Sequence, residues 1–159
     1  MSSLPRIQSL VIPVLRDAFP EVHVGSWFED VDFRTFPILN VRRIGGTRYE
    51  GGPTVFSQPT IELTAYTEVD LPTTETLYED ALDALYAAVY SQEPLVGVGY
   101  LHSIKETFGA TQFSSLFQDS WRVQGLIQFG IRRPRPDPVQ PVPWQHRPET
   151  FSNLERKAE

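Results

Sequence analysis

The chain has 159 residues, 40% of them hydrophobic and 12% aromatic, which suffices for one domain with a sizeable core and not for two large ones. It contains no cysteine, so disulfide scaffolds, thiolate zinc sites, iron–sulfur clusters and thiol nucleophiles are excluded together. With 14 basic against 20 acidic residues its formal net charge is −6, which disfavours general affinity for nucleic-acid phosphates.

The N-terminus, Met1-Ser2-Ser3-Leu4-Pro5-Arg6, lacks the form of a secretory signal, and no apolar run reaches membrane-spanning length. A soluble chain kept inside a cell, with no membrane partner, is expected. Leu4, Ile7, Leu10, Val11, Val14, Leu15 and Ala18 recur at steps of three and four, predicting an amphipathic helix over about 4–18 that is kinked or starts late because of Pro13. Phe19-Pro20 ends it. Val22, Val24 and Trp27 suggest a short strand, followed by an acidic turn at Glu29-Asp30-Val31-Asp32. Residues 36–44 read as a strand with apolar groups on both faces near its start, hence a central one. Gly45-Gly46 and Gly51-Gly52 then bracket Thr47-Arg48-Tyr49-Glu50, which predicts a flexible protruding loop.

Residues 60–67 alternate, with Ile61, Leu63 and Ala65 inward and Glu62, Thr64 and Tyr66 outward. A helix is expected over about 75–91, with Thr76 and Glu79 at capping-box spacing. It carries adjacent stripes of Leu77, Ala81, Leu85, Val89 and of Tyr78, Leu82, Tyr86, Tyr90, while Asp80 and Asp83 face water. Residues 96–108 and 118–132 read as two longer strands, and the connection 109–117 is ambiguous. Six of the 14 prolines follow Arg133, so 134–159 should be an extended tail on a globular domain of residues 1–133. The acidity belongs to that domain, which holds 10 basic and 16 acidic residues against four of each in the tail. Within the tail, Trp144 and Phe151 suggest docking onto the chain's own surface or a neighbour's, against a plain disordered end. The fold class expected is α+β: one mixed or antiparallel sheet of four to five strands packed against two helices.

Constellations for chemistry are missing. His23, His102 and His146 lie in distant segments without a second ligand at usable spacing, and Glu29, Asp30 and Asp32 lack the rest of a calcium loop. Gly97-Val-Gly99 lacks the third glycine of a dinucleotide fingerprint, and neither a phosphate loop nor a G-x-S-x-G elbow occurs. No catalytic residue, cofactor or metal is therefore assigned. Arg42, Arg43 and Arg48 beside Tyr49 have the composition of a protein interface, with nucleic-acid contact and a merely solvated loop as the rivals.

Three strings carry a resemblance: residues 4–16 from Leu4-Pro-Arg-Ile to Leu-Arg16, Val22-His-Val-Gly-Ser-Trp27, and Phe36-Pro-Ile-Leu-Asn-Val-Arg-Arg-Ile-Gly-Gly46. With the strand Ile61 to Tyr66 and the helix Tyr78 to Tyr90, the chain resembles, over about 1–132, tail terminator proteins of long-tailed, non-contractile bacteriophages of actinobacterial hosts. The resemblance implies a structural virion subunit, assembled in the host cytoplasm, that forms a six-membered ring on the head-proximal end of the tail tube. There it would stop tube polymerisation and present the surface for head attachment. Its partners would be further copies of itself, the tail tube protein and a head-completion or neck protein, with DNA passing through the lumen without specific binding. Arg42, Arg43, Arg48, Tyr49 and Glu50 would then contact a neighbouring subunit or the tube, with Asp80 and Asp83 as a candidate opposing face and Trp144 as a docking anchor. Six copies would carry a charge of about −36, which suits an acidic DNA passage. A head-closure connector or a tube subunit remains the nearest alternative. A small-molecule binding module built on Trp27, Trp121 and Phe129 is more distant, and an enzyme more distant still.

Overall fold

Ile7, Leu10, Val11 and Leu15 are the buried side of a single amphipathic helix, α1 (Ile7–Ala18), which runs on through Pro13 because that residue sits on its exposed face. The computed structural model describes residues 4–27, 34–114 and 120–134. After α1 come β1 (His23–Gly25), β2 (Ile38–Arg48), β3 (Phe56–Thr67), α2 (Leu71–Ser91), β4 (Tyr100–Phe113) and β5 (Trp121–Arg132). The strands form one sheet in the order β1-β2-β3-β5-β4, with β1 parallel to β2 and all other pairs antiparallel. This is the α+β, two-helix, mixed-sheet architecture expected. The acidic turn at Glu29, Asp30 and Asp32 and the tail with Trp144 and Phe151 lie outside the described residues.

The helices cover one face of the sheet. Leu39 and Val41 of β2, Ile61, Leu63 and Ala65 of β3, Leu101 of β4, and Val123, Ile127, Phe129 and Ile131 of β5 meet Leu10, Val11 and Leu15 of α1 and Tyr78, Leu82 and Leu85 of α2. The Arg16 guanidinium donates from Nε and Nη2 to the Val24 carbonyl at 3.1 and 3.0 Å, tying the end of α1 to the first strand. The opposite face is buried as well at one end, by Ile38, Asn40, Thr64 and Tyr66. Thr64 and Tyr66 therefore do not face water as their alternation suggested.

Boundaries differ from expectation for physical reasons. The second helix starts at Leu71 and not near 75, because Asp70 caps it: its carboxylate accepts from the Thr73 N–H at 2.8 Å, and Pro72 occupies the first turn, where a missing N–H costs nothing. Hydrogen bonding by the Thr73 side chain, and then by this N–H, holds the Asp70 carboxyl below its ordinary value. The Thr76 and Glu79 capping box does not form. The helix ends at Gln92, in the left-handed region at φ 53°, whose side-chain amide donates to the carbonyls of Val89, Leu101 and His102.

The strand β2 does not stop at Gly45-Gly46 but passes through them to Arg48, paired with Ser57. Its register shifts between Arg43 and Gly45, and Gly46 takes φ 93° against the Gln58 carbonyl, where a side chain has no room. The expected flexible loop shrinks to a turn at 49–55, held by Gly52 N–H to Tyr49 carbonyl (3.1 Å) and Phe56 N–H to Gly52 carbonyl (3.0 Å). β2 is interior only at its start, since β1 covers Ile38 to Asn40, and the centre of the sheet is β3. β4 begins at Tyr100 and not near 96, because Leu95 to Gly99 close a tight turn with Gly97 and Gly99 at positive φ. It absorbs residues 109–113 of the ambiguous connection.

The Tyr78 phenol is fully buried, and its hydroxyl has no hydrogen-bond partner. Burial pushes its pKa well above the ordinary 10.0, with the charges of Glu106 and Glu79 adding. The neutral form is thus favoured in the folded protein, a contribution complete below pH 10 and lost as pH rises through the elevated folded value. Tyr78→Phe will keep or raise stability at pH 7 by up to about 1 kcal/mol, since an unsatisfied hydroxyl is removed. Urea unfolding at pH 8 and pH 11 will show a smaller alkaline loss in the variant than in the parent, and parallel losses would contradict this account.

Candidate functional site

The β2–β3 hairpin carries the predicted interface residues outward. From Arg42 to Val55 every residue but Gly52 is exposed. Arg42 Nη2 meets Glu62 Oε2 at 3.1 Å across the two strands, with side chains 62% and 12% exposed, so Arg42 is partly committed within its own subunit. Arg43 donates from Nε to the Gly45 carbonyl at 3.2 Å and from Nη2 to that of Gly46 at 3.4 Å. Arg48 Nη1 reaches the Pro53 carbonyl at 3.4 Å across the turn. Both guanidiniums thus stiffen the hairpin and still present their charge to solvent, and neither is ion-paired among the described residues.

The turn is also braced by rings. Tyr49, half exposed, packs edge-on against Phe56 at 5.6 Å, and Phe56 packs edge-on against His102 at 5.5 Å. Arg132 lies over the other side of this row, 5.6 Å from the Phe56 centroid. The series fixes the hairpin's angle to β4 and β5, so the tip is a shaped surface. Glu50 sits exposed at its apex.

Asp80 and Asp83 are exposed on α2, as predicted. Asp83 belongs to a larger acidic field than spacing alone indicated. Burial raises the Glu79 carboxyl above its ordinary value, and the carboxylates of Glu106, Asp83 and Glu75 raise it further. Among the described residues no ion pair joins these carboxylates to a cation. Within one subunit the hairpin arginines and these acids are not brought together: no ion pair joins Arg43 or Arg48 to Asp80 or Asp83.

On the sheet face away from the helices, Arg122, Gln124 and Thr64 form a hydrogen-bonded row, and the Arg122 guanidinium lies 5.4 Å from the Phe113 centroid. Sequence reading missed this row and the Arg42–Glu62 pair. Both follow only from cross-strand register, which joins residues 20 and 60 positions apart. Trp27, Trp121 and Phe129 do not line a common pocket: the first two are 73% and 40% exposed, whereas Phe129 is core. His102 sits among rings, and no group of three or more metal-ligating side chains occurs among the described residues. Among these same residues no helix is long and apolar enough to cross a membrane.

A family described as phage tail termination protein matches residues 3–138. The chain is 55% identical over 139 residues to the "Gene 22 protein" of Mycobacterium phage L5, an alignment covering 85% of this chain and 98% of that protein. It is 51% identical, over the same coverage, to the "Gene 22 protein" of Mycobacterium phage D29. Both relatives come from phages of an actinobacterial host, in keeping with the resemblance read from residues 4–46. The chain therefore belongs to the phage tail termination proteins.

Proposed function

We infer that the chain is the subunit of a ring, six-membered in our reading, that caps the head-proximal end of the tail tube, stops its growth and offers the surface to which the head attaches. Its role is structural and not catalytic, and its place is the virion tail, with assembly in the host cytoplasm. The observation that carries the reading beyond the family match is the separation of two oppositely charged surfaces: a stiff hairpin whose Arg43 and Arg48 have no ion pair among the described residues, and an exposed acidic face of α2 that carries Asp80 and Asp83. A closed ring requires such heterologous contacts, because each subunit must offer one face and receive on another. The head-completion protein and the tube protein would meet the two ends of that ring. The net charge of −6 per copy supports a lumen that DNA crosses without adhering.

The test is electron microscopy of lysates from a phage whose copy of this gene carries an early stop codon. Headless tails of abnormal and variable length are the expected result. Tails of normal length beside emptied heads would transfer the role to head closure, and intact infectious particles would remove the virion role altogether.

A further inference from the structure

Helices α1 and α2 leave a groove of about 650 Å³ between them, open at the end where β4 begins. That size lies within the range of binding clefts, about 300–1,000 Å³. Its walls are apolar, formed by Pro13 and Val14 on α1, by Ala84, Ala87 and Ala88 on α2, and by Leu95 at the open end. Its charged lining groups are Asp17 and Glu93, both acidic. A second hollow of about 300 Å³ adjoins it and shares Pro94, Leu95 and Tyr100. Pro134, the last described residue, lines that second hollow. Val96, in the same wall, is 92% exposed and leaves an apolar group uncovered where the chain departs.

The sequence that follows suits this groove. Trp144 lies ten positions after Pro134, a reach of about 30 Å when extended, against about 10 Å along α2 from Ala84 to Ser91. Pro141-Val-Pro-Trp144 combines a stiff backbone, which loses little entropy on docking in a groove, with one large ring to bury there. From Val139 to Pro148 the charged or titratable groups are His146 and Arg147, with no acid, opposite the acidic Asp17 and Glu93. The matched family span ends at residue 138, so the groove lies inside the shared domain and this anchor outside it.

We propose that the groove between α1 and α2 is the docking site of the chain's own C-terminal segment, with Trp144 seated between the helices and Arg147 facing Asp17 and Glu93. The short connection from Pro134 gives the segment a millimolar effective concentration at the groove, so docking occurs within one subunit. This inference does not require the ring.

The absence of native cysteines makes the test direct. In the full chain, Ala87→Cys, in the groove wall, is combined with Gln145→Cys, beside the anchor; a control combines Lys105→Cys, exposed on β4, with the same Gln145→Cys. Under mild oxidation the groove pair should form an intramolecular disulfide about tenfold faster than the control pair, and Trp144→Ala should abolish that advantage while circular dichroism stays unchanged. Equal rates for the two pairs, an advantage that survives Trp144→Ala, or crosslinking between chains in place of within them would each overturn the proposal.

Discussion

Gly125→Ala will lower the melting temperature by about 10 °C, a large loss for a single methyl group. Gly125 lies in β5 on the helix side of the sheet, paired with Leu63, and the Tyr78 ring rests on it. A Cβ there would overlap the Tyr78 hydroxyl and come within 2.7 Å of its Cζ, with the Phe108 carbonyl at 2.9 Å. The ring is fully buried and fixed on α2, and the carbonyl is backbone, so neither can yield without moving helix against sheet. Overpacking of this kind costs about 3 kcal/mol, and each kcal/mol moves the midpoint of a chain this long by about 2–4 °C. Gly45→Ala supplies the control: nothing lies within 4 Å of its added carbon, and its φ is not in the left-handed region. It should leave the midpoint unchanged or slightly raised, as loss of unfolded-state freedom alone predicts. In a Tyr78→Phe background the Gly125→Ala penalty should shrink, because the first clash is gone and the Cζ contact remains. Equal melting temperatures for Gly125→Ala and Gly45→Ala would show that the helix layer is not seated on β5 as described.

The parts of this fold that were legible in sequence are those whose period is unbroken. The stripe Ile7, Leu10, Val11, Leu15 and the alternation Ile61, Leu63, Ala65 each report one buried face, and both elements were placed to within a few residues. Legibility failed where a punctuating residue had two meanings. The helix is expected only from about 75, yet with Asp70 as cap Pro72 belongs to its first turn. Gly45-Gly46 reads as the end of a strand, yet it permits a register shift that lets the strand continue. The Arg42–Glu62 pair lies before that shift and follows from the pairing of β2 with β3, which the period within either strand does not report. The basic and acidic clusters themselves were visible from composition. The groove was not, because α1, α2 and the turn before β4 contribute to it from segments with no common period.

Reversing the hairpin charges with Arg43→Glu and Arg48→Glu together will reduce the yield of infectious particles about a thousandfold when supplied to a stop-codon phage in trans. Among the described residues each arginine bonds only to carbonyls of its own hairpin, at 3.2 to 3.4 Å, so the folded subunit loses little: surface changes of this sort lie within about 0.5 kcal/mol. An arginine at the centre of an interface carries about 2 kcal/mol, and two of them account for about three orders of magnitude in association. The expected signature is a purified variant with unchanged circular dichroism and melting, beside lysates whose tails are headless and uneven in length. If the hairpin of one subunit meets the acidic field of the next, Asp80→Arg with Asp83→Arg will fail in the same way alone, and all four changes together will restore titre. Restoration depends on opposite charges meeting across subunits, because the two sets are not ion-paired within one. Full titre from the Arg43→Glu, Arg48→Glu variant would remove the hairpin from the assembly contact. Failure of the fourfold variant, with both pairs defective, would keep the hairpin in the contact and move its partner from α2 to the tube, since the acidic field would then be answering a different cation.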